Sequence, residues 1–127
     1  MVRLLVIDDE KGMCWALKKA LEEGGYEVLT ALSGPEGLSM LKRENFDLVL
    51  LDIKMPGMSG LEVLEEIRKT SPSLPVIIMT ALSSLPVALE AMQKGADAYV
   101  TKPFQMSTLK QTVEKVLSGV VVKKDSP

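Results

Sequence analysis

Five short apolar segments recur along the chain at fairly even intervals, and each is apolar on consecutive residues rather than on alternate ones. A strand with one face in water alternates, so unbroken apolar runs indicate strands that are covered on both faces. The segments are residues 3–7, 28–31, 48–51, 76–79 and 98–100. This pattern restricts the fold to one in which a sheet lies between two other layers of structure.

The stretches between these segments carry helical periodicity. The clearest apolar stripe at helical spacing consists of Met106, Leu109, Val113, Val116 and Leu117. Two other stretches begin with the pattern of a capping box, Ser33 with Glu36 and Ser59 with Glu62. Strands that alternate with helices favour a parallel sheet with right-handed crossovers. We therefore predict an α/β fold with a five-stranded parallel sheet and helices on both faces.

The length of 127 residues suits one domain with its own core. The periodic pattern ends near Gly119, so we expect one domain over residues 1–119 and a tail, or the start of a linker, over residues 120–127. No apolar run reaches the roughly 18 residues of a membrane helix, and no secretory signal pattern is present. The net charge is −2. We expect a cytoplasmic domain that binds neither membranes nor nucleic acid directly.

The side chains available for chemistry are few in kind. The chain contains no histidine and a single cysteine, Cys14. Their scarcity excludes histidine-based catalytic triads, metals ligated by histidine, cysteine zinc cages and internal disulfides. Carboxylates, hydroxyls and amines remain as the groups that can carry a reaction.

Polar side chains follow the apolar runs at positions that a parallel sheet brings to one edge. Asp8 and Asp9 follow the first run, Asp52 the third, Thr80 the fourth and Lys102 the fifth. Ligands of open parallel sheets bind at the carboxyl ends of the strands, so these side chains are expected to converge. Each residue alone also has a structural explanation, such as a helix cap or a turn. Their joint placement favours a site.

A convergence of acids predicts a cation. Carboxylates that gather without a counter-charge raise one another's pKa values. A ligand set made only of oxygen favours Mg²⁺, Mn²⁺ or Ca²⁺ over zinc. Magnesium on a few carboxylates commonly holds a phosphoryl group, and the nucleophile that this composition offers to such a group is a carboxylate. Thr80 and Lys102 supply donors for its oxygens, so the residues predict an Mg²⁺-dependent aspartyl-phosphate site.

Four motifs resemble, in order and spacing, the receiver domain of two-component response regulators. They are LLVIDDE from residue 4, LVLLDIKMPGMSGLEVL from residue 48, VIIMTA from residue 76 and GADAYVTKPF from residue 95. The resemblance spans residues 3–117 and implies a doubly wound, flavodoxin-like sheet with strand order 2-1-3-4-5. Residues 80–104 further resemble the receivers of enhancer-binding activators that work with sigma factor 54.

The resemblance also implies a role for each residue of the acidic group. Asp52 corresponds to the phosphoacceptor. Asp8 and Asp9, together with Asp52 and the backbone carbonyl of Lys54, correspond to the ligands of Mg²⁺, for which Mn²⁺ can substitute.

Three further positions correspond to residues that respond to the phosphoryl group. Thr80 resembles the switch hydroxyl that turns toward it, and Tyr99 resembles the aromatic residue whose rotamer follows. Lys102 resembles the lysine that assists phosphoryl transfer, and the peptide bond between Lys102 and Pro103 is expected to be cis.

The resemblance implies protein partners. A sensor histidine kinase donates the phosphoryl group, an output domain or downstream protein responds, and a homodimer can form on phosphorylation. The fourth helix carries an apolar stripe of Leu85, Leu89 and Met92. We expect this stripe and Tyr99 to form the partner surface, while the alternative is that the stripe belongs to the core.

Other functions fit the residues less well. An aspartyl-phosphate hydrolase needs a second acid two residues after the nucleophile, where Lys54 stands. A flavin mononucleotide carrier needs a phosphate loop after the first strand, where three consecutive acids would repel the phosphate. The remaining alternative is a pseudo-receiver, an interaction module that is not phosphorylated, although the complete acid set argues against it. We predict a self-modifying switch in transcription regulation rather than an enzyme.

Overall fold

The computed structural model describes residues 1–119, in which strands and helices alternate. The strands are β1 (Arg3–Ile7), β2 (Glu27–Ala31), β3 (Leu48–Asp52), β4 (Val76–Ala81) and β5 (Ala98–Lys102). The helices are α1 (Lys11–Glu23), α2 (Gly34–Arg43), α3 (Gly60–Thr70), α4 (Leu85–Gln93) and α5 (Met106–Leu117). A short 3₁₀ turn, Leu82–Ser84, precedes α4. Each apolar segment of the sequence therefore forms a strand, as predicted.

All the strands run parallel in the order β2-β1-β3-β4-β5. This confirms the strand order that the resemblance implies. The chain moves outward from β1 to β2 and then returns across β1 to place β3 on its other side. Because the connections leave β1 and β3 in opposite directions, a crevice opens at the carboxyl ends of these two strands. Asp8, Asp9 and Asp52 lie at this crevice.

The sheet separates two apolar clusters, one with residues of α1 and α5 and the other with residues of α2, α3 and α4. In β1, Leu4 and Val6 belong to the first cluster, whereas Leu5 and Ile7 belong to the second. All four are fully buried, and burial of each such side chain contributes about 1.5–3 kcal/mol to folding. The unbroken apolar run thus reflects a strand that is covered on both faces.

The described residues cover the predicted domain from residue 1 to Gly119, which lies just beyond the end of α5. The tail predicted for residues 120–127 lies outside the described residues. Within residues 1–119, none of the helices combines the length and hydropathy that a bilayer-spanning helix needs.

The two predicted capping boxes differ in the structure. At α3 the box is complete, because the Ser59 side chain accepts from the N–H of Glu62 and the Glu62 carboxylate accepts from the N–H of Ser59. At α2, Ser33 accepts from the N–H of Glu36, but the Glu36 carboxylate accepts from the N–H of Leu32 at 2.8 Å. The prediction of a full box at α2 was wrong, since Glu36 reaches one residue further back.

The start of α3 lies directly against the end of β3 at Gly60. The Gly60 N–H donates to the carbonyl of Ile53 at 2.9 Å. A Cβ atom at Gly60 would clash with the carbonyl oxygen of Asp52 and would lie 2.6 Å from the Cα of Ile53. These are backbone atoms that cannot rotate away, so α3 approaches only because this residue has no side chain. The approach fixes the position of the loop that follows Asp52.

Gly60→Ala is expected to lower the free energy of unfolding by about 1–3 kcal/mol, because the backbone must shift to admit the methyl group. The matched control is Gly12→Ala in α1, an exposed position with no atom within 4 Å of the added Cβ. That change is expected to raise the free energy of unfolding by roughly 0.5–1 kcal/mol, since alanine favours a helix. Urea denaturation measures both, and effects of equal size and sign would contradict the close approach.

Candidate functional site

The carboxyl ends of β1 and β3 bring a group of acids together. Asp8 and Asp9 follow β1, and Asp52 is the last residue of β3. One carboxylate oxygen of each lies within 4.8 Å of the other two. Asp8 is fully buried and Asp52 is 6% exposed, whereas Asp9 is exposed. Asp8 and Asp52 therefore lie at the buried bottom of the site, and Asp9 lies at its opening to solvent.

Lys102, at the end of β5, provides the positive charge that faces these acids. Its Nζ atom lies 2.9 Å from Oδ2 of Asp8 and 3.3 Å from Oδ1 of Asp52. The Glu10 carboxylate, to which the sequence assigned no role, lies 3.9 Å from the same Nζ. Buried carboxylates are tolerated when a cation and hydrogen bonds compensate them. One ammonium group shared among several carboxylates still leaves the site with a net negative charge.

The pKa values reflect this incomplete compensation. Burial, followed by the charge of Asp8, raises the pKa of Asp52 to about 6, although Lys102 acts in the opposite direction. Burial by itself lowers the pKa of Lys102, but its hydrogen bond to Asp8 and the charges of Asp52 and Asp8 outweigh that effect and raise it. An acid that keeps its proton up to about pH 6 indicates a site that favours a further cation.

The acid group meets the chemical requirements of a hard divalent cation. Mg²⁺ binds oxygen at about 2.1 Å, which separates its ligand atoms by roughly 3–4 Å. The carboxylate oxygens of Asp8, Asp9 and Asp52, which lie within 4.8 Å of one another, reach that spacing by a small approach. The group contains neither sulfur nor nitrogen ligands, which favours Mg²⁺ or Mn²⁺ over zinc. The residues therefore fit the ion that the sequence predicted.

Cys14 and Glu10 form hydrogen bonds that position Asp8. The buried Cys14 thiol donates to the backbone carbonyl of Asp8 at 3.2 Å, and the Glu10 N–H donates to Oδ1 of Asp8 at 2.9 Å. Burial, and then the charge of Asp8, raises the pKa of the Cys14 thiol to about 11, so the thiol stays neutral near pH 7. The adjacency of Glu10 to two aspartates was the one signal in the sequence for these contacts.

Thr80 and Tyr99 occupy the neighbouring strands. The Thr80 hydroxyl is fully buried and donates to the carbonyl of Ala81 at 3.1 Å. Tyr99 is paired with Ile78 in the register of β4 and β5, and 37% of its surface is exposed. Thr80 thus lies buried near the carboxyl end of β4, and the Tyr99 ring lies partly in solvent. Their roles as switch residues stay predictions.

Two further predicted positions lie in the loops around the acids. Lys54 follows Asp52 by two residues, and its side chain is exposed. The N–H of Ile53 donates to the carbonyl of Met79 at 3.0 Å, which ties the start of this loop to β4. The backbone carbonyl of Lys54 as a metal ligand stays a prediction. The peptide bond between Lys102 and Pro103 is cis.

The stripe on α4 that was predicted to face a partner lies partly in the core. Leu85 and Met92 are partly buried against the cluster on the α2, α3 and α4 side of the sheet. Leu89 is 51% exposed, and Leu89 and Tyr99 are the most exposed of the four predicted residues. The use of this surface by a partner stays a prediction.

In the metal-free protein we expect the Asp52 carboxyl to titrate near pH 6, as followed by its ¹³C chemical shift. Asp8→Asn removes a neighbouring negative charge and is expected to lower that pKa, whereas Lys102→Met removes the positive charge and is expected to raise it. A wild-type pKa near 4, or shifts of the same sign in both variants, would contradict this description of the site.

The same pKa has a consequence for stability. Because the pKa of Asp52 is higher in the folded protein than its ordinary value of 3.8, the unfolded chain releases this proton at a lower pH. The contribution of Asp52 to the free energy of unfolding is therefore full below about pH 4 and is lost as the pH rises through about 6. Asp52→Asn should remove this part of the pH dependence in urea denaturation.

The sequence matches the family model described as the response regulator receiver domain over residues 4–114. The transcriptional regulatory protein GlrR of Escherichia coli is 43% identical over 114 residues, which cover 90% of this chain and 26% of GlrR. The transcriptional regulatory protein ZraR of Salmonella typhimurium is 40% identical over 117 residues, which cover 92% of this chain and 26% of ZraR. The chain thus spans about a quarter of the length of these curated relatives.

Solved structures agree with the sequence comparison. A response regulator receiver domain protein from Clostridium thermocellum superposes with a TM-score of 0.90 at 38% identity, over 94% of this chain and 96% of that one. NtrX from Brucella abortus, in complex with ADP, superposes with a TM-score of 0.90 at 31% identity, over 94% of this chain and 28% of NtrX. The fold, the motif order and these matches together show that the chain belongs to the response regulator receiver domain family.

Proposed function

We propose that this domain is a phosphorylation-controlled switch in which Asp52 accepts a phosphoryl group and Asp8, Asp9, Asp52 and the backbone carbonyl of Lys54 hold Mg²⁺. The observation that carries the proposal is the contact of one ammonium group, that of Lys102, with the carboxylates of both Asp8 and Asp52. This arrangement supplies a nucleophile, a cation and an uncompensated group of oxygens at one place. Membership of the receiver family supports it.

Asp52 performs the covalent step. A carboxylate oxygen of Asp52 attacks the phosphorus of the donor, a new O–P bond forms, and the bond between phosphorus and the donor's nitrogen breaks. The leaving imidazole of a histidine kinase keeps the electron pair of that bond and can take up a proton. When bound, the metal ion supplies positive charge to the phosphoryl oxygens. The product is an acyl phosphate on Asp52.

Lys102 and Thr80 supply donors to the phosphoryl oxygens. The Lys102 ammonium group already lies 3.3 Å from Oδ1 of Asp52, so a small movement carries it to a phosphoryl oxygen. Thr80 has to exchange its hydrogen bond to the carbonyl of Ala81 for one to the phosphoryl group. Its inward turn vacates space that the partly exposed Tyr99 ring can enter. The roughly two negative charges of the phosphoryl group thereby select between two packing states.

The proposal extends to partners. The phosphoryl donor is a sensor histidine kinase, and the altered surface acts on an output domain or a downstream protein, with a phosphorylation-dependent homodimer as one form of that response. Leu85, Leu89, Met92 and Tyr99 are proposed to contribute to the surface. Similarity to transcriptional regulatory proteins supports an output in transcription in the cytoplasm. The resemblance of residues 80–104 supports an activator that works with sigma factor 54.

Incubation with Mg²⁺ and acetyl phosphate is expected to add one phosphate to the wild-type protein, as measured by intact mass. The adduct should be labile to base and hydroxylamine, because it is an acyl phosphate. Asp52→Asn should show no adduct while keeping its circular dichroism spectrum. Glu66→Gln, at a partly exposed acid on α3, is the matched control and should be phosphorylated normally.

Two outcomes would contradict the proposal. An adduct that persists in Asp52→Asn would place the reaction on another residue. An unmodified, folded wild-type protein at saturating Mg²⁺ would favour the alternative of an interaction module that is not phosphorylated, which no observation on the described residues favours at present.

A further inference from the structure

Arg68, on α3, lies at the edge of the sheet opposite to Asp52 and uses all of its N–H donors there. Its Nε and Nη2 donate to the carbonyl of Gly95 at 3.0 and 2.7 Å. Its Nη1 donates to the carbonyls of Ser71 and Leu74 at 3.1 and 2.7 Å, and its Nη2 donates to Asp97 at 3.2 Å. Gly95 has a φ of +107°, and a Cβ there would lie 2.9 Å from Nε. A side chain at this position would have to displace the guanidinium group, and the backbone conformation of the turn favours glycine.

Further bonds hold the turn between α4 and β5. Lys94 forms an ion pair of 3.1 Å with Glu65 on α3. Asp97 accepts from the N–H of Val76 at 2.9 Å, and the N–H of Asp97 donates to the carbonyl of Val76 at 2.8 Å. The segment that follows α4 is thus bonded to α3 on one side and to the start of β4 on the other.

The first turn of α4 has fewer such bonds among the described residues. Ser84, at the N-cap, makes no side-chain bond to the helix, and Pro86 in the first turn has no N–H to donate. The preceding 3₁₀ turn carries Leu82, which is 70% exposed. The fully buried side chains of α4 are Ala88 and Ala91, which are small. A helix end without a capping bond and with a narrow packed face opens at lower free energy than a bonded end.

We propose that Arg68 is a positioning residue that anchors the C-terminal end of α4, so that α4 pivots about Gly95 when Asp52 is modified. This inference rests on the proposed function, because it concerns how a change at Asp52 reaches α4. Thr80 lies directly before the segment that leads into α4, so its inward turn displaces the N-terminal end of the helix. With the other end held, the displacement becomes a tilt rather than a shift of the whole helix.

The proposed anchor depends on the planar geometry of the Arg68 guanidinium group. Its bonds to Gly95, Ser71 and Leu74 run in different directions from one rigid group, and all three acceptors are carbonyls. An ammonium group on a flexible stem keeps the charge but does not present five donors in a plane. Arg68→Lys therefore separates the geometry of the anchor from its charge.

Hydrogen exchange of the backbone amides tests the anchor in the unmodified protein. Arg68→Lys is expected to speed exchange at residues 94–97 by about tenfold or more, because the turn opens more readily. Lys69→Gln is the matched control, since Lys69 is an exposed basic residue on the same helix that pairs only with Glu66 at 3.1 Å among the described residues. Unchanged exchange at residues 94–97 in Arg68→Lys would overturn the proposal.

The wild-type protein provides a second test that does not depend on the variant folding. After phosphorylation, exchange is expected to change at residues 82–88 and to stay the same at residues 94–97. Equal changes in both segments would overturn the pivot. A protein that takes up no phosphate would refute the proposed function instead, and the comparison of Arg68→Lys with Lys69→Gln would still decide whether Arg68 is the anchor.

Discussion

One ammonium group between two buried carboxylates is the interaction on which the site depends. Lys102 from β5 contacts Asp8 at the end of β1 and Asp52 at the end of β3, and β4 lies between β3 and β5 in the sheet. Without this cation, the burial of two carboxylates would cost several kcal/mol. With it, the group is held in place but is still short of positive charge, and the pKa of Asp52 stays near 6. That shortage favours the binding of a further cation, such as the divalent ion of the proposed function.

The two edges of the sheet are stabilised in different ways. At the carboxyl edge, ionisable groups face one another across the crevice between β1 and β3. At the amino edge, arginines donate to backbone carbonyls in addition to pairing with carboxylates. Arg68 donates to the carbonyls of Gly95 and Leu74, and Arg3 donates to that of Asn45. Such carbonyl bonds do not depend on the charge at the other edge. In the proposed switch, a change of charge at Asp52 therefore acts at the carboxyl edge, while the carbonyl bonds at the amino edge are unaffected.

The sequence predicts most of the fold because local patterns determine it. Unbroken apolar runs indicate doubly covered strands, and the acids and Lys102 follow those runs directly. The strand order came only from the family resemblance, because no local pattern says which parallel strands are neighbours. The closer contact of Lys102 with Asp8 than with Asp52 was not predictable, since it joins residues 94 apart in sequence. The contact of Cys14 with Asp8, and the reach of Glu36 past its expected partner, depend on side-chain packing in the same way.

The central claim is that the shared ammonium group leaves the acid group with too little positive charge. Calorimetric titration of Mg²⁺ into the phosphate-free protein, at several pH values between about 5 and 8, tests it most directly. Because a proton on Asp52 competes with the ion, the affinity is predicted to fall by about tenfold for each pH unit below about 6 and to level off above it. Asp9→Asn, which removes the exposed carboxylate of the group and leaves the buried pair intact, should weaken binding at every pH. An affinity that is independent of pH, or the absence of Mg²⁺ binding by the folded protein, would contradict the account.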